Sequence, residues 1–435
     1  MPSSKSLCIA LCLLCTALPA RAGEKPNDTR GNDSSQKVDN GYIKEWGGKT
    51  FEEWRKDLRN NPDPSYREFA LIALANFPQR ADAVPDVVAR LTDRDASPRV
   101  KAAMLLRMFP HHETDRTRII KGLATCISHD NQSIVRYEAA HSLQFFCPLR
   151  LEDRDESAAL QDLVKGLQST STYAMRDIII MTLIMAGVDP KKGPDQRVTE
   201  ALMFHANFQN EPTTQVRLKA IMALGAQGRP QDPKMLQRVL DVLKMPANYK
   251  SSHPTVRIWS HVAIIALVEK VDKKDLETIA GYLTDKDPVT REQAVKALGA
   301  LEEKSQAYVN NILKMVTKEK VPTVRAEVAI ALARMKNTGP NVLNAIISMT
   351  EEDSRESLPV VFNACQALMM MGVNSPEVMK ALDKVCDHKS LEDYQKQQVK
   401  KMIEELQNPK KKPVKNAAKT PEQPVGGKAG TAQKK

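Results

Sequence analysis

From Leu283 to Leu301 the chain reads LTDKDPVTREQAVKALGAL, polar at its start and apolar at spacings of three and four at its end. Ala294, Ala297 and Leu298 share one face of a helix of period 3.6. Pro288 stands where a first-turn proline costs no hydrogen bond, so the helix is predicted to start there. The stripe LETIAGYL at 276–283 predicts a partner helix just before it. The unit is thus a helix, a turn carrying Asp285 and Asp287, and a second helix with Arg291 near its start.

The same frame recurs along the chain. Measured from the arginine, an acid lies six positions before, alanines three and six after, and a leucine seven after. DRDASPRVKAAMLL fits on Arg99 with Asp93 and Asp95, and DNQSIVRYEAAHSL fits on Arg136 with Asp130. EPTTQVRLKAIMAL fits on Arg217, EKVPTVRAEVAIAL on Arg325 and NPDPSYREFALIAL on Arg67. SSHPTVRIWSHVAI fits on Arg257 and, more loosely, TSTYAMRDIIIMTL on Arg176; a ninth copy, RESLPVVFNACQAL, has Val361 in place of the arginine. The anchors are 32 to 41 residues apart, the period of helix-pair solenoids. Apolar stripes at 84–91, 159–167, 197–204 and 307–316 supply the first helix of other units. The alanines predict close approach between neighbouring second helices. No stretch sustains alternation of period two, so no sheet is predicted.

These motifs, over about Thr50 to Leu406, resemble the HEAT-repeat family, in particular the bacterial form similar to phycobilisome lyases. The resemblance implies an all-α fold, a right-handed α-solenoid superhelix of about nine helix pairs with capping helices. It also implies that the turn acids and the arginines form an inter-repeat ladder. That role falls on Asp93, Arg99, Asp130, Arg136, Arg217, Asp285, Asp287, Arg291 and Arg325. Thr170, Ser251 and Arg355 in the acidic slot, and Val361 in the basic one, should interrupt it. So many copies of one acid–arginine pair at regular spacing are joints, not active sites.

Both ends read as caps. Thr50 and Glu53 have capping-box spacing, and Phe51, Trp54 and Leu58 line one face of the helix they begin. Leu391, Tyr394, Val399, Met402, Ile403 and Leu406 form a narrow stripe on a closing helix. The middle of the array differs, because its anchors are 40 or 41 residues apart and its loops are longer. Insertions of this kind map to one face of a solenoid, often the binding face. Phe208, Tyr249, Lys250, His253 and the nearby Trp259 are therefore candidate partner-binding residues.

The net charge of +11 changes meaning once it is divided. Lys5, an apolar run from Leu7 to Ala20 and the small-residue site Ala20-Arg21-Ala22 predict a signal peptide at 1–22, and hence export to a periplasmic or extracellular space. Polar residues 23–41 are expected to form a disordered linker and residues 42–407 the solenoid. Residues 408–435 hold eight lysines against Glu422 alone, a Lys/Pro/Ala-rich tail of net charge +7 also expected to be disordered. The body between is near neutral, so a high isoelectric point does not here mark a nucleic-acid groove.

Little in the sequence points to catalysis. Cleavage would leave four cysteines, Cys126, Cys147, Cys365 and Cys386, with no C-x-x-C spacing. His111 and His112 lack the i, i+4 spacing of a helical zinc site. There is no G-x-S-x-G, P-loop or dinucleotide fingerprint. The expectation is no enzyme, no cofactor and no metal. The chain should be a monomeric, exported scaffold for an unidentified protein partner, without a transmembrane span once processed. The alternatives are attachment to an anionic polymer or envelope surface through the tail, and a lyase-like HEAT enzyme.

Overall fold

The computed structural model describes residues 37–39, 42–169, 172–189, 192–248, 252–351, 357–388 and 391–407. The fold is an all-α solenoid, and the chain divides into two units after Asn337. In the first unit eight helix pairs follow one another, each an A helix and a B helix. They are α1 (Phe51–Asn60) with α2 (Pro64–Ala75), α3 (Val84–Ala89) with α4 (Ala96–Leu105), and α5 (Glu113–His129) with α6 (Ser133–Leu143). Next come α7 (Arg154–Ser169) with α8 (Tyr173–Ala186), α9 (Gln196–Ala206) with α10 (Thr214–Ala226), and α11 (Pro233–Asn248) with α12 (Pro254–Leu267). The last two are α13 (Lys273–Gly281) with α14 (Pro288–Ala300) and α15 (Val309–Lys318) with α16 (Pro322–Arg334). Each B helix packs on its own A helix and on the B helix of the next pair, which makes the array continuous.

The second unit holds α17 (Pro340–Thr350) with α18 (Leu358–Met371), and α19 (Pro376–Cys386) with α20 (Asp393–Gln407). Val361, at the anchor position of α18, is fully buried. The closing helix α20 buries Val399, Ile403 and Leu406 against α19 as a tenth pair, while Tyr394 is exposed rather than part of its stripe.

The expectation of no sheet fails in two places. Strands β1 (Lys37–Asp39), β2 (Tyr42–Trp46) and β3 (Lys49–Thr50) form an antiparallel meander, the first of them inside the stretch expected to be a linker. Strands β4 (Val188–Asp189) and β5 (Gly193–Pro194) form a small hairpin in the long loop after α8. All are too short for alternation to register. The β2–β3 turn is made by Gly47 and Gly48, both with positive φ (60° and 75°), as a tight two-residue hairpin turn requires. The hairpin folds back on α1, where the indole N–H of Trp54 donates to the Trp46 carbonyl at 2.8 Å. The predicted capping box is present, with Thr50 N–H donating to Glu53 and Glu53 N–H to Thr50 Oγ1.

The small residues of the B helices act as the alanine pattern implies. A Cβ added at Gly299 would lie 2.8 Å from the Ala331 Cα, and one at Gly225 would lie 2.9 Å from the Ala263 Cα. Helices α14 and α16, and α10 and α12, therefore meet backbone to backbone at these points.

The arginine anchor does two jobs at once. Arg291, in the second turn of α14, folds back so that Nη1 donates to the carbonyls of Asp285 and Lys286 at 2.8 and 3.2 Å. Arg67, Arg99 and Arg217 cover the carbonyls of Asn61 and Pro62, Asp93 and Arg94, and Glu211 and Pro212 in the same way. The other edge of the guanidinium reaches the acid of the next repeat. Arg67 pairs with Asp93 at 2.8 and 2.7 Å, Arg99 with Asp130 at 2.7 and 3.1 Å, and Arg291 with Glu319 at 2.7 and 2.8 Å. Arg176 reaches Glu211 at 2.8 Å. The acid in turn caps the turn it sits in. Asp93 accepts from Asp95 N–H, Asp130 from Gln132 N–H, and Glu319 from Lys320 and Val321 N–H.

The ladder thus links repeats as the family resemblance implies, but with two corrections. The carboxylate partner of Arg291 is Glu319, not Asp285 or Asp287. Asp285 gives Arg291 only its carbonyl, while its side chain accepts from Asp287 N–H. Asp287 is the N-cap of α14, accepting from Val289 and Thr290 N–H. Where the acidic slot lacks an acid the arginine meets neutral groups. Arg136 donates to Ile127 O, Gly166 O and Ser169 Oγ, and Arg217 to turn carbonyls and Thr214 Oγ1. Arg257 departs for another reason. The next acidic slot holds Asp285, yet Arg257 donates to Ala247 O and lies 5.9 Å from the Tyr282 ring centre. Thr170, Ser251 and Arg355 lie outside the described residues.

Two outcomes follow. Gly299→Ala should destabilise the protein by about 1–3 kcal/mol, since the methyl meets backbone that has little room to yield. Gly281→Ala, with open space around it, should be neutral or gain about 0.5–1 kcal/mol, and thermal unfolding of the two variants checks the contrast.

The second outcome concerns pH. Burial lowers the His205 imidazole against the opposing pull of Glu211, and burial together with Arg107 lowers His141. Below about pH 6.5 the unfolded chain takes up these protons before the folded one does, so stability falls as pH drops through that region. In urea melts between about pH 7.5 and 5.5, the wild type should lose stability and a His205→Asn/His141→Gln variant should lose measurably less.

Candidate interaction surface

The described loop-face residues, Phe208, His253 and Trp259, do not share one exposed surface. Phe208, on the turn from α9 to α10, is 53 % exposed. Tyr249 and Lys250 lie outside the described residues. His253 is the N-cap of α12, its Nδ1 accepting from Thr255 N–H at 3.3 Å. Trp259 is the clear correction. It is only 1 % exposed, and its indole N–H donates to Gln293 Oε1 at 2.9 Å, so it is a packing residue between α12 and α14 that a partner cannot reach.

A different surface is built by the B helices. In each of them the residues at the anchor and three, four and seven positions on face inward, as Arg67, Ala70, Leu71 and Leu74 do in α2. The opposite face, turned away from the A helices, carries large apolar groups in the first four repeats. Phe69, Met108, Ile134, Tyr137 and Phe145 are exposed there, Phe145 by 63 %, and Tyr66 and Tyr173 flank them. The aromatic row begins in the N-terminal hairpin. The Trp46 ring centre is 5.0 Å from that of Phe69 and 6.0 Å from that of Trp54, and Phe69 is 5.6 Å from Trp54.

Charged groups on this face are matched to one another across repeats. Lys101 of α4 pairs with Glu68 of α2 at 3.3 Å, and Lys219 of α10 with Asp177 of α8 at 2.9 Å. Arg107 reaches Glu138 at 3.1 Å beside His141, which continues the row between Tyr137 and Phe145 at 6.4 and 6.3 Å. These pairs form a second ladder that the sequence frame does not reveal, since its members vary from repeat to repeat. Further along, the same face becomes polar. Lys296 contacts Glu292 at 2.6 Å and Glu327 at 3.6 Å, and burial raises the Glu327 carboxyl. The exposed aromatic groups of this face thus lie in the first four repeats, while Val289 of α14 and Met370 of α18 are exposed singly further along.

The titratable groups elsewhere are engaged in packing. Two buried histidines lean on carboxylates, His205 on Glu211 at 3.0 Å and His261 on Asp275 at 2.7 Å. The second contact joins residues fourteen positions apart, a pairing not visible in the sequence. Among the described residues no hydroxyl or thiol hydrogen-bonds to either ring. His112 stands at the N-cap of α5, 3.7 Å from Asp82. Among the described residues, Cys126, Cys147, Cys365 and Cys386 are free thiols. Burial pushes Cys126, Cys147 and Cys365 up to about 12, which makes them poor nucleophiles. No group of side chains among the described residues has the makings of a metal site, and no described helix is long and apolar enough to cross a membrane.

No curated protein matches the chain. Similar solved structures include an engineered protein (18 % identity, 82 % of this chain and 98 % of that one, TM-score 0.38). They also include human deoxyhypusine hydroxylase (15 % identity, 67 % and 97 %, TM-score 0.28) and Kap121p bound to Nup53p (12 % identity, 76 % and 37 %, TM-score 0.41). The family model for HEAT repeats matches residues 51–144 and 247–333, leaving the lengthened middle repeats between the two matches. HEAT repeats are thus found at residues 51–144 and 247–333, within the stacked helix pairs.

Proposed function

We propose that the protein is an exported, non-catalytic scaffold that holds a protein partner on the B-helix face of its first four repeats. One observation carries the reading. Phe69, Ile134 and Tyr137 on α2 and α6, with Met108 and Phe145 just past the ends of α4 and α6, are all exposed, while the charges beside them are already paired. Large apolar side chains left in water in such number are characteristic of binding sites, where aromatic residues supply most of the energy. Export rests on the apolar run Leu7–Ala20 and its small-residue site, and a bacterial envelope is the setting we favour. The thiols pushed up by burial and the histidines held by carboxylates support the absence of catalysis.

The basic tail favours a second reading, attachment to an anionic surface, since eight lysines in residues 408–435 give it a net charge of +7. A capture experiment from envelope extract separates the two. Three baits are compared: the full chain, a chain ending at Gln407, and a Phe69→Ser/Tyr137→Ser/Phe145→Ser variant. The scaffold reading expects the triple variant to lose its partner at both low and high salt while the truncated chain keeps it. Loss on truncation alone, relieved by salt, would instead make the tail the attachment point.

A further inference from the structure

Two grooves of like geometry run beside the arginine rungs. One, of about 590 Å³, lies between the end of α13 and α15; its twin, of about 670 Å³, lies between α3 and α5. Both are lined by the same positions of the repeat, with Asp285, Arg291 and Glu319 in one standing where Asp93, Arg99 and Asp130 stand in the other. The rims differ. Where the twin has Thr125, His129 and Asn131, the first groove has Lys314, Lys318 and Lys320. These are the positions eleven, seven and five before the anchor, and no other repeat has lysine at all three.

The fold has little use for these lysines. The twin's cations are matched, Arg118 with Asp115 at 3.2 Å and Lys121 with Asp155 at 3.9 Å. The side chains of Lys314, Lys318 and Lys320 make no ion pair or hydrogen bond among the described residues. The carboxylates lining the groove are taken, Glu319 by Arg291 and two backbone N–H groups, and Asp285 by Asp287 N–H. Lys314 and Lys318 are like charges one helical turn apart, a spacing that disfavours the helix slightly. Lys318 does suit the C-terminus of α15, but that accounts for neither Lys314 nor Lys320.

We propose that this groove binds a short acidic segment of a partner protein, its carboxylates taken by the three lysines above the Arg291–Glu319 rung. The basic tail of the same chain has the wrong sign to occupy it. The lysines are confined to one repeat, so they offer no continuous track for a nucleic-acid backbone, which needs cations spread along its length. The inference deepens the scaffold reading and rests on it for a protein partner. The groove lies on other elements than the aromatic face, so the two can fail separately.

The test is fluorescence anisotropy with a labelled Asp/Glu peptide of about eight residues. The proteins are the full chain, the chain ending at Gln407, and a Lys314→Gln/Lys318→Gln/Lys320→Gln variant whose thermal unfolding matches wild type. The expected result is salt-sensitive binding that weakens about tenfold or more in the triple variant and survives both truncation and the Phe69→Ser/Tyr137→Ser/Phe145→Ser change. Failure of the full chain to bind, equal binding by the triple variant, or loss on truncation would overturn it. Tighter binding of a single-stranded oligonucleotide with the same lysine dependence would also overturn it, in favour of nucleic acid.

Discussion

The arginine that joins one repeat to the next is the interaction on which the rest of this protein depends. A turn between two helices leaves backbone carbonyls pointing at a neighbouring repeat, where water is excluded, and buried acceptors need donors. Arg67 meets that need with one side of its guanidinium and binds Asp93 with the other, and both side chains are almost fully buried. Burial, the largest single influence, would raise the Asp93 carboxyl, but Arg67, the Asp95 N–H and Arg90 together outweigh it and hold the group below the usual carboxylate range. A buried pair of this kind is weak evidence for stability when compared with an apolar core. Its value lies in register, because a bidentate guanidinium fixes both the distance and the rotation of the next helix pair.

With register fixed by polar contacts, the helices themselves can be packed with small residues. Gly225 and Gly299 lie against Ala263 and Ala331 with no space for a methyl group, an arrangement that tolerates little sliding. The B-helix face opposite the core is then free to vary. In the first four repeats it carries exposed aromatic and apolar groups beside matched charges; around α14 and α16 it carries Lys296 between two glutamates. Function, on this view, lives in positions that neither the rung nor the core constrains.

That division explains what was legible in the sequence. The helix pairs, the proline start at Pro288 and the capping box at Thr50 were readable because each follows a local rule of spacing. The partner of Arg291 was misread as the acids just before it. A single repeat shows Asp285 and Asp287 nearby, while Glu319, 28 residues on, belongs to the next turn. Glu211 and Glu319 could have been found by asking which acid follows each arginine by one period. Trp259 was misplaced because proximity to a long loop in sequence says nothing of orientation, and its indole is held against Gln293 of the next B helix. The short strands at 37–50 and the charge pairs Glu68–Lys101 and Asp177–Lys219 follow no repeated rule, so nothing short of the fold reveals them.

The central claim is that rung and register are one thing, and a double-mutant cycle on Arg291 and Glu319 tests it most directly. Arg291→Ala, Glu319→Ala and the double variant would be unfolded in urea and compared with wild type. The account predicts that each single change is destabilising and that the double variant costs clearly less than their sum, a coupling of about 1–3 kcal/mol. Additive effects, with coupling near zero, would mean that the contact between Arg291 and Glu319 does not hold successive repeats together, and the ladder would have to be given up as the joint of this solenoid.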